Sequence, residues 1–273
     1  MLVLNYYFNY VKCKNDKKGT FLCLHDFQSN QNTFNGIINS ISEEYDYYSL
    51  NLPGHSIQEK NLLTKKEFQD QLNVESIVNF IIAFIKNNDL KDLIILGHSF
   101  GAALATLVQT KEPNLVKKLI LISPYNWTIL FHNKLFKKIY FSKNIDKHNE
   151  YQICLYKNIS YCSTTPSWWI ESKKRFEFTI ENYDRFWFLY KQMKKISNMI
   201  SYHDAIRKNT IPTLVILGKF DTLLNYKKNQ RYFSNNLKCG KVQILEHSGH
   251  FPHIEQTNET IDLIFKFLNN QLI

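Results

Sequence analysis

Residues 92–105 read DLIILGHSFGAALA. An apolar run at 93–96 ends in Gly97-His98-Ser99-Phe100-Gly101, and small apolar residues follow at once. A short apolar run bounded by glycine predicts a buried strand at 92–97, and the residues after it predict a helix from about 100 to 111. A serine in G-x-S-x-G between a strand and a helix is a nucleophile elbow. The turn is tight enough that side chains at the glycines would strike strand or helix, and it pushes the Ser99 hydroxyl clear of the backbone. The N-terminal N–H groups of the helix behind it face the same point and favour a developing anion.

A serine hydroxyl needs a base. His250, in EHSGHFPHIEQ, follows a predicted strand at 241–246, and Gly249 gives the loop the freedom to turn its ring inward. His247 and His253 are its neighbours, and His253 is placed at the opening of the last helix. The base in turn needs a carboxylate. Asp221, in LGKFDTLL, follows the strand predicted at 212–218 and gives the order Ser…Asp…His. Asp204 is the rival, but it falls in a helical stretch. A developing oxyanion needs two donors: the N–H of Phe100, and the N–H of Phe27 in the loop LHDFQSN after the strand at 20–25.

Outward from these motifs, short apolar runs alternate with amphipathic stretches. Strands are predicted at 2–13, 20–25, 45–52, 92–97, 117–123, 212–218 and 241–246. Helices are predicted at 33–44, 70–88, 100–111, 226–236 and 256–270. The first two strands are expected to form a hairpin across Asn15-Asp16-Lys17-Lys18-Gly19. This alternation predicts an α/β fold, a mostly parallel sheet covered on both faces.

Residues 125–208 break the pattern. They hold no convincing strand, read as helical with breaks at Pro166 and Ser142-Lys143-Asn144, and contain all four tryptophans: Trp127, Trp168, Trp169 and Trp187. They also carry 15 basic and 7 acidic residues, +8 of the net +10. The domain reading is therefore a core of 1–124 and 209–273 with a helical cap at 125–208. The four tryptophans are expected to line an apolar substrate pocket beneath the cap.

At 273 residues and 44% hydrophobic, the chain can bury a sizeable core. Five widely spaced cysteines without a CxxC pair suit reduced thiols in a cytoplasmic protein, with no metal site. The N-terminus has no basic region ahead of an apolar one, so it reads as a strand and not as a signal peptide. The lysine excess comes without an arginine-rich helix or an RNA-binding motif, which argues against nucleic acid as a partner. Oligomeric state is not legible.

Four motifs in order, LHDF (24–27), NLPGHS (51–56), GHSFG (97–101), and GKFD (218–221) with SGHFPHIE (248–255), resemble the α/β-hydrolase superfamily, in its capped serine esterase/lipase branch. The resemblance spans about residues 2–270. It implies the α/β-hydrolase fold with an eight-stranded sheet and a cap between the sixth and seventh strands. It implies Ser99 as nucleophile, Asp221 as acid, His250 as base, and the Phe27 and Phe100 amides as the oxyanion hole. Two positions depart from the family pattern: Asp26 stands where glycine is usual, and Ala102 where a second glycine is common. The Asp26 carboxylate is expected to face away from the oxyanion. A serine at the elbow argues against the dehalogenases and epoxide hydrolases of this fold, which use aspartate.

The reading is a serine hydrolase that cleaves a small-molecule ester with an apolar acyl group through an acyl-enzyme, without metal or organic cofactor. The same triad could act on a thioester, an amide or a carbon–carbon bond. A non-catalytic protein that traps a ligand under its cap is the rival class, and a lipase held on anionic membrane by its basic cap is a third.

Overall fold

The computed structural model describes residues 6–55 and 69–271. Residues 2–5 of the expected first strand and Ser56 of the NLPGHS motif lie outside the described residues. Seven strands form one sheet among the described residues: β1 (Phe8–Val11), β2 (Thr20–Leu24), β3 (Asp46–Leu50), β4 (Leu93–His98), β5 (Val116–Ile122), β6 (Thr213–Gly218) and β7 (Gly240–Leu245). Their order is β1-β3-β2-β4-β5-β6-β7, and every pairing is parallel except β1 with β3.

Two expectations are corrected. The eight strands implied by resemblance are seven among the described residues, the number that the apolar runs themselves mark. The N-terminal hairpin is absent: β1 pairs antiparallel with β3, and β2 lies parallel between β3 and β4. The reason is burial. TFLCL of β2 is apolar or small at every position and buried throughout, the signature of an inner parallel strand. FNYV of β1 alternates exposed and half-buried, as suits an edge.

Strand alternation sorts the core onto two faces. Phe21, Cys23, Ile94, Leu96, Ile120 and Ile122 pack with α1 (Asn35–Ile41) and the closing helix, which runs Thr257–Leu268. Leu22, Leu24, Ile95, Leu119 and Leu121 face α2 (Val74–Asn87) and α3 (Phe100–Lys111). In α2 the apolar stripe buries Ile77, Ile81 and Phe84, and the Asn73 side chain caps the first turn by accepting the Ser76 N–H at 2.9 Å.

Between β5 and β6 the chain forms a 3₁₀ turn (Trp127–His132) and six helices: α4 (Asn133–Phe141), α5 (Ile145–Ile153), α6 (Ile159–Thr164), α7 (Pro166–Glu181), α8 (Tyr183–Lys194) and α9 (Ile196–Lys208). Pro166 opens α7, where its missing N–H costs nothing. Asn144 caps α5 through the Lys147 N–H at 2.9 Å. The last of these helices, α9, packs along α3, so it also covers one face of the sheet. After β6 come α10 (Tyr226–Asn236), then β7, a short α11 (Pro252–Glu255) and α12 (Thr257–Leu268).

Candidate active site

β4 ends at His98 and α3 begins at Phe100, so Ser99 alone makes the turn. Its φ of 49° and ψ of −111° lie off the ordinary regions for a non-glycine residue. The backbone holds it there: its N–H donates to the Ile122 carbonyl at 2.9 Å, and its carbonyl accepts from the N–H groups of Ala102, Ala103 and Tyr125. Both glycines of the turn are sterically required. A Cβ on Gly97 would lie 2.5 Å from the Ala102 Cα, and one on Gly101 2.1 Å from the Leu24 carbonyl oxygen. The second contact shows how closely the start of α3 approaches the end of β2. It brings the Phe100 amide, in the helix turn whose N–H groups have no helical acceptor, beside the loop that carries Phe27.

His250 sits at the turn after β7, fully buried. Its N–H donates to the Leu155 carbonyl at 2.7 Å, and its carbonyl accepts from His98 Nε2 at 2.9 Å. That second bond sets the histidine loop directly beside the serine turn. Glu255 fastens the same loop to the insert: Oε2 accepts the Gly249 N–H at 2.6 Å, while Oε1 accepts the N–H groups of Lys157 and Asn158. His250 Nδ1 donates to Asp221 Oδ2 at 2.7 Å. The other oxygen, Asp221 Oδ1, accepts the N–H groups of Leu223 and Leu224 at 2.8 and 2.9 Å. The aspartate thus closes its own turn and holds the ring with one carboxylate. Burial opposes a charge on His250, but the Asp221 charge and hydrogen bond outweigh it and raise the imidazole above its ordinary 6.5. With Nδ1 committed to Asp221, Nε2 is the face left for a proton, and it is buried without a hydrogen-bond partner among the described residues.

Asp204 lies elsewhere, in a groove shared with Glu75, Lys111 and Lys208. The tryptophans occupy separate places. Trp127 packs against His203; Trp168 meets Trp169 edge-on and faces Tyr156, which stacks on Phe251 next to His250. Trp169 is 38% exposed. Trp187 packs on Phe141, itself in contact with Phe27. The rings gathered directly around Phe27 are those of His55, Phe136, Tyr140, Phe141 and Phe186.

The loop that carries Phe27 is set by a histidine. The Leu52 N–H donates to His25 Nε2 at 2.9 Å, which leaves Nδ1 to donate to the Asp26 carbonyl at 2.7 Å. The Asp26 carboxylate is buried and lies 3.6 Å from His98 Nδ1. Burial alone would raise its pKa, but the neighbouring His98 outweighs it and holds the carboxyl well below the usual range. His98, Glu255 and the surroundings of Asp26 were not found from sequence. The one signal was that glycine's usual place is taken by an acid, which demands a partner when buried.

Burial also depresses several imidazoles. His25 and His253 are held below 6.5, His55 is pushed down to about 3 and His148 to about 4. Between pH 6.5 and these values the unfolded chain binds protons that the folded chain refuses. The stability these groups contribute is whole above pH 6.5 and is lost as pH falls through the depressed values. Thermal denaturation should therefore show Tm falling steadily from pH 7 to pH 4.5, with a shallower slope in His148→Leu. A Tm independent of pH over that span would contradict this assignment.

The sequence profile of the alpha/beta hydrolase fold family matches residues 19–257. The chain belongs to that family and is a hydrolase of the α/β type. Among curated proteins it is 28% identical over 263 residues to “Putative esterase/lipase 2” of Mycoplasma genitalium, covering 93% of this chain and 90% of that one. Among solved structures it resembles a serine hydrolase from Cycloclasticus zankles, with a TM-score of 0.79 at 15% identity over 98% of this chain and 95% of that one. It also resembles a “putative lipase” from Acinetobacter baumannii, with a TM-score of 0.80 at 20% identity over 99% and 91%. No helix among the described residues is long and apolar enough to cross a membrane.

Proposed function

We propose that the protein hydrolyses carboxylic esters with an apolar acyl group through a covalent acyl-enzyme on Ser99. The observation that carries this reading is the His250–Asp221 bond of 2.7 Å, on a loop tied to the serine turn through His98, with Nε2 turned to neither. Ser99 Oγ attacks the ester carbonyl while His250 Nε2 takes its proton. The tetrahedral oxyanion accepts hydrogen bonds from the Phe27 and Phe100 amides. Collapse of this intermediate breaks the bond to the leaving alkoxide, and His250 returns the proton to it as the alcohol departs. Water, deprotonated by His250, then attacks the acyl-enzyme, and the carboxylic acid leaves with Ser99 restored. Asp221 keeps Nδ1 protonated and balances the imidazolium that forms at each proton transfer.

The aromatic wall of Phe136, Tyr140, Phe141 and Phe186 around Phe27 suits an apolar acyl chain. Each buried methylene is worth about 0.8 kcal/mol. Two added methylenes should therefore raise kcat/KM by up to about tenfold, until the pocket is full and overpacking reverses the trend. The test is a series of 4-nitrophenyl esters from acetate to decanoate, on the wild type and on Trp168→Ala with Trp169→Ala. A rise followed by a fall supports the reading, and a flat profile contradicts an acyl pocket. A profile unchanged in the double variant assigns chain-length selection to the rings around Phe27.

A further inference from the structure

Two cavities, of about 370 and 380 Å³, share Ser29, Asn30, Asn32, Glu171 and Arg175 in their walls. One is bounded by Phe251, next to His250, and the other by Gln28, next to Phe27. Both are walled by the 29–32 loop on one side and by Glu171 and Arg175 of α7 on the other. Unlike the aromatic surroundings of Phe27, their walls also carry polar and charged groups. Ser29, Asn30 and Asn32 present neutral polar groups to both, beside Trp168 and Phe251 in the first and Phe178 in the second, so the cavities suit a ligand portion that is in part polar.

Arg175 is the cation that both cavities share, and Lys174 lines the second alone. Its guanidinium donates to Gln152 Oε1 at 3.3 Å and has no carboxylate within ion-pair distance among the described residues. Glu171 in the same wall is already engaged by Lys174 at 2.9 Å. Arg175 is half-buried, and its positive charge is felt inside, at Asp26 and Tyr140 beside the oxyanion loop and at His148. A partly desolvated guanidinium with most of its donors unused, facing a cavity large enough for a small ligand, is a receptor for a planar or tetrahedral anion.

We infer that Arg175 binds an anionic group, a carboxylate or a phosphate, on the alcohol side of the substrate. The inference rests on the ester-hydrolase reading above and names its substrate class: an apolar acyl group esterified to an alcohol that carries negative charge. The aromatic wall at Phe27 would take the acyl group, and the cavities at Arg175 the charged alcohol.

The test pairs 4-carboxyphenyl butyrate with its neutral counterpart 4-carbamoylphenyl butyrate. The expected result is a kcat/KM ratio of roughly tenfold or more in favour of the anion, carried by KM. In Arg175→Gln the ratio falls to near one, and in Arg175→Lys part of it returns. Lys173→Gln, an exposed cation on the same helix that lines neither cavity, should leave the ratio as in the wild type. Equal kcat/KM for the two esters in the wild type, or a preference that survives Arg175→Gln, would overturn the inference. Calorimetric titration separates it from the ester reading, because the probes 4-hydroxybenzoate and glycerol 3-phosphate undergo no hydrolysis. Binding to the wild type that weakens about tenfold or more in Arg175→Gln supports the anion site even if neither ester is cleaved. Binding of the first probe alone assigns a carboxylate, and binding of the second a phosphate. Absence of binding by both, or binding indifferent to Arg175, overturns the site.

Discussion

Ser99→Ala is expected to lower kcat for ester hydrolysis on the order of 10⁶-fold, because removing the attacking atom removes everything the triad does as a unit. The fold should survive. The bonds that hold the turn run through the Ser99 backbone, to Ile122, Ala102, Ala103 and Tyr125, and alanine keeps all of them. Alanine tolerates the φ of 49° no worse than serine to within about 1 kcal/mol. Such a cost shifts Tm by only about 2–4 °C for a chain of this size. Steady-state kinetics with 4-nitrophenyl butyrate, beside a melting curve, checks both halves. Residual activity within a hundredfold of the wild type, with the fold intact, would mean that another group attacks the ester.

Asp221→Asn is expected to cost roughly 10⁴-fold in kcat with little change in structure. The substitution keeps an oxygen to accept the Leu223 and Leu224 N–H groups, so the turn after β6 retains its closure. What changes is the partner of His250. An amide nitrogen facing Nδ1 favours the tautomer with its proton on Nε2, where the base must be free. The negative charge that raises the His250 pKa is also lost. In the wild type a raised His250 must lose its proton before it can act, so the acid limb of kcat/KM should lie above pH 6.5. In Asp221→Asn burial prevails, and the limb moves to lower pH. Asp204→Asn, in the groove with Lys208, should leave both the rate and the limb in place. The reverse pattern, with Asp204→Asn damaging and Asp221→Asn harmless, would reassign the carboxylate.

What could be read from sequence was what is local. The elbow is contiguous, and its two glycines mark contacts made within a few residues or with the adjoining strand. Asp221 and His250 each follow an apolar run that could only be a strand. The pairing of strands was harder. Residues 8–11 and 20–24 are neighbours in sequence and invite a hairpin, yet the chain from Lys14 to Lys18 runs along the loop before β3 through hydrogen bonds to residues 42–44. The uninterrupted burial of TFLCL was the clue that β2 belongs inside the sheet. The supports of the site were illegible because their partners lie far apart in the chain: Asp26 with His98, His98 with the His250 carbonyl, Glu255 with residues 157 and 158. The clustering of tryptophans in one insert was plain, but which of them would reach the site depends on how α4, α7 and α8 pack, and composition carries no such information.

Ser99, activated by His250, is expected to form a covalent bond with the acyl group. A fluorophosphonate reacts preferentially with a serine so activated, and it reports the bond without any assumption about substrate. Intact mass of the treated protein should rise by one adduct, and peptide mapping should place it on Ser99 within residues 92–111. Labelling should vanish in Ser99→Ala and fall sharply in His250→Gln. An adduct on another serine, or no adduct on the folded wild-type protein, would contradict the account.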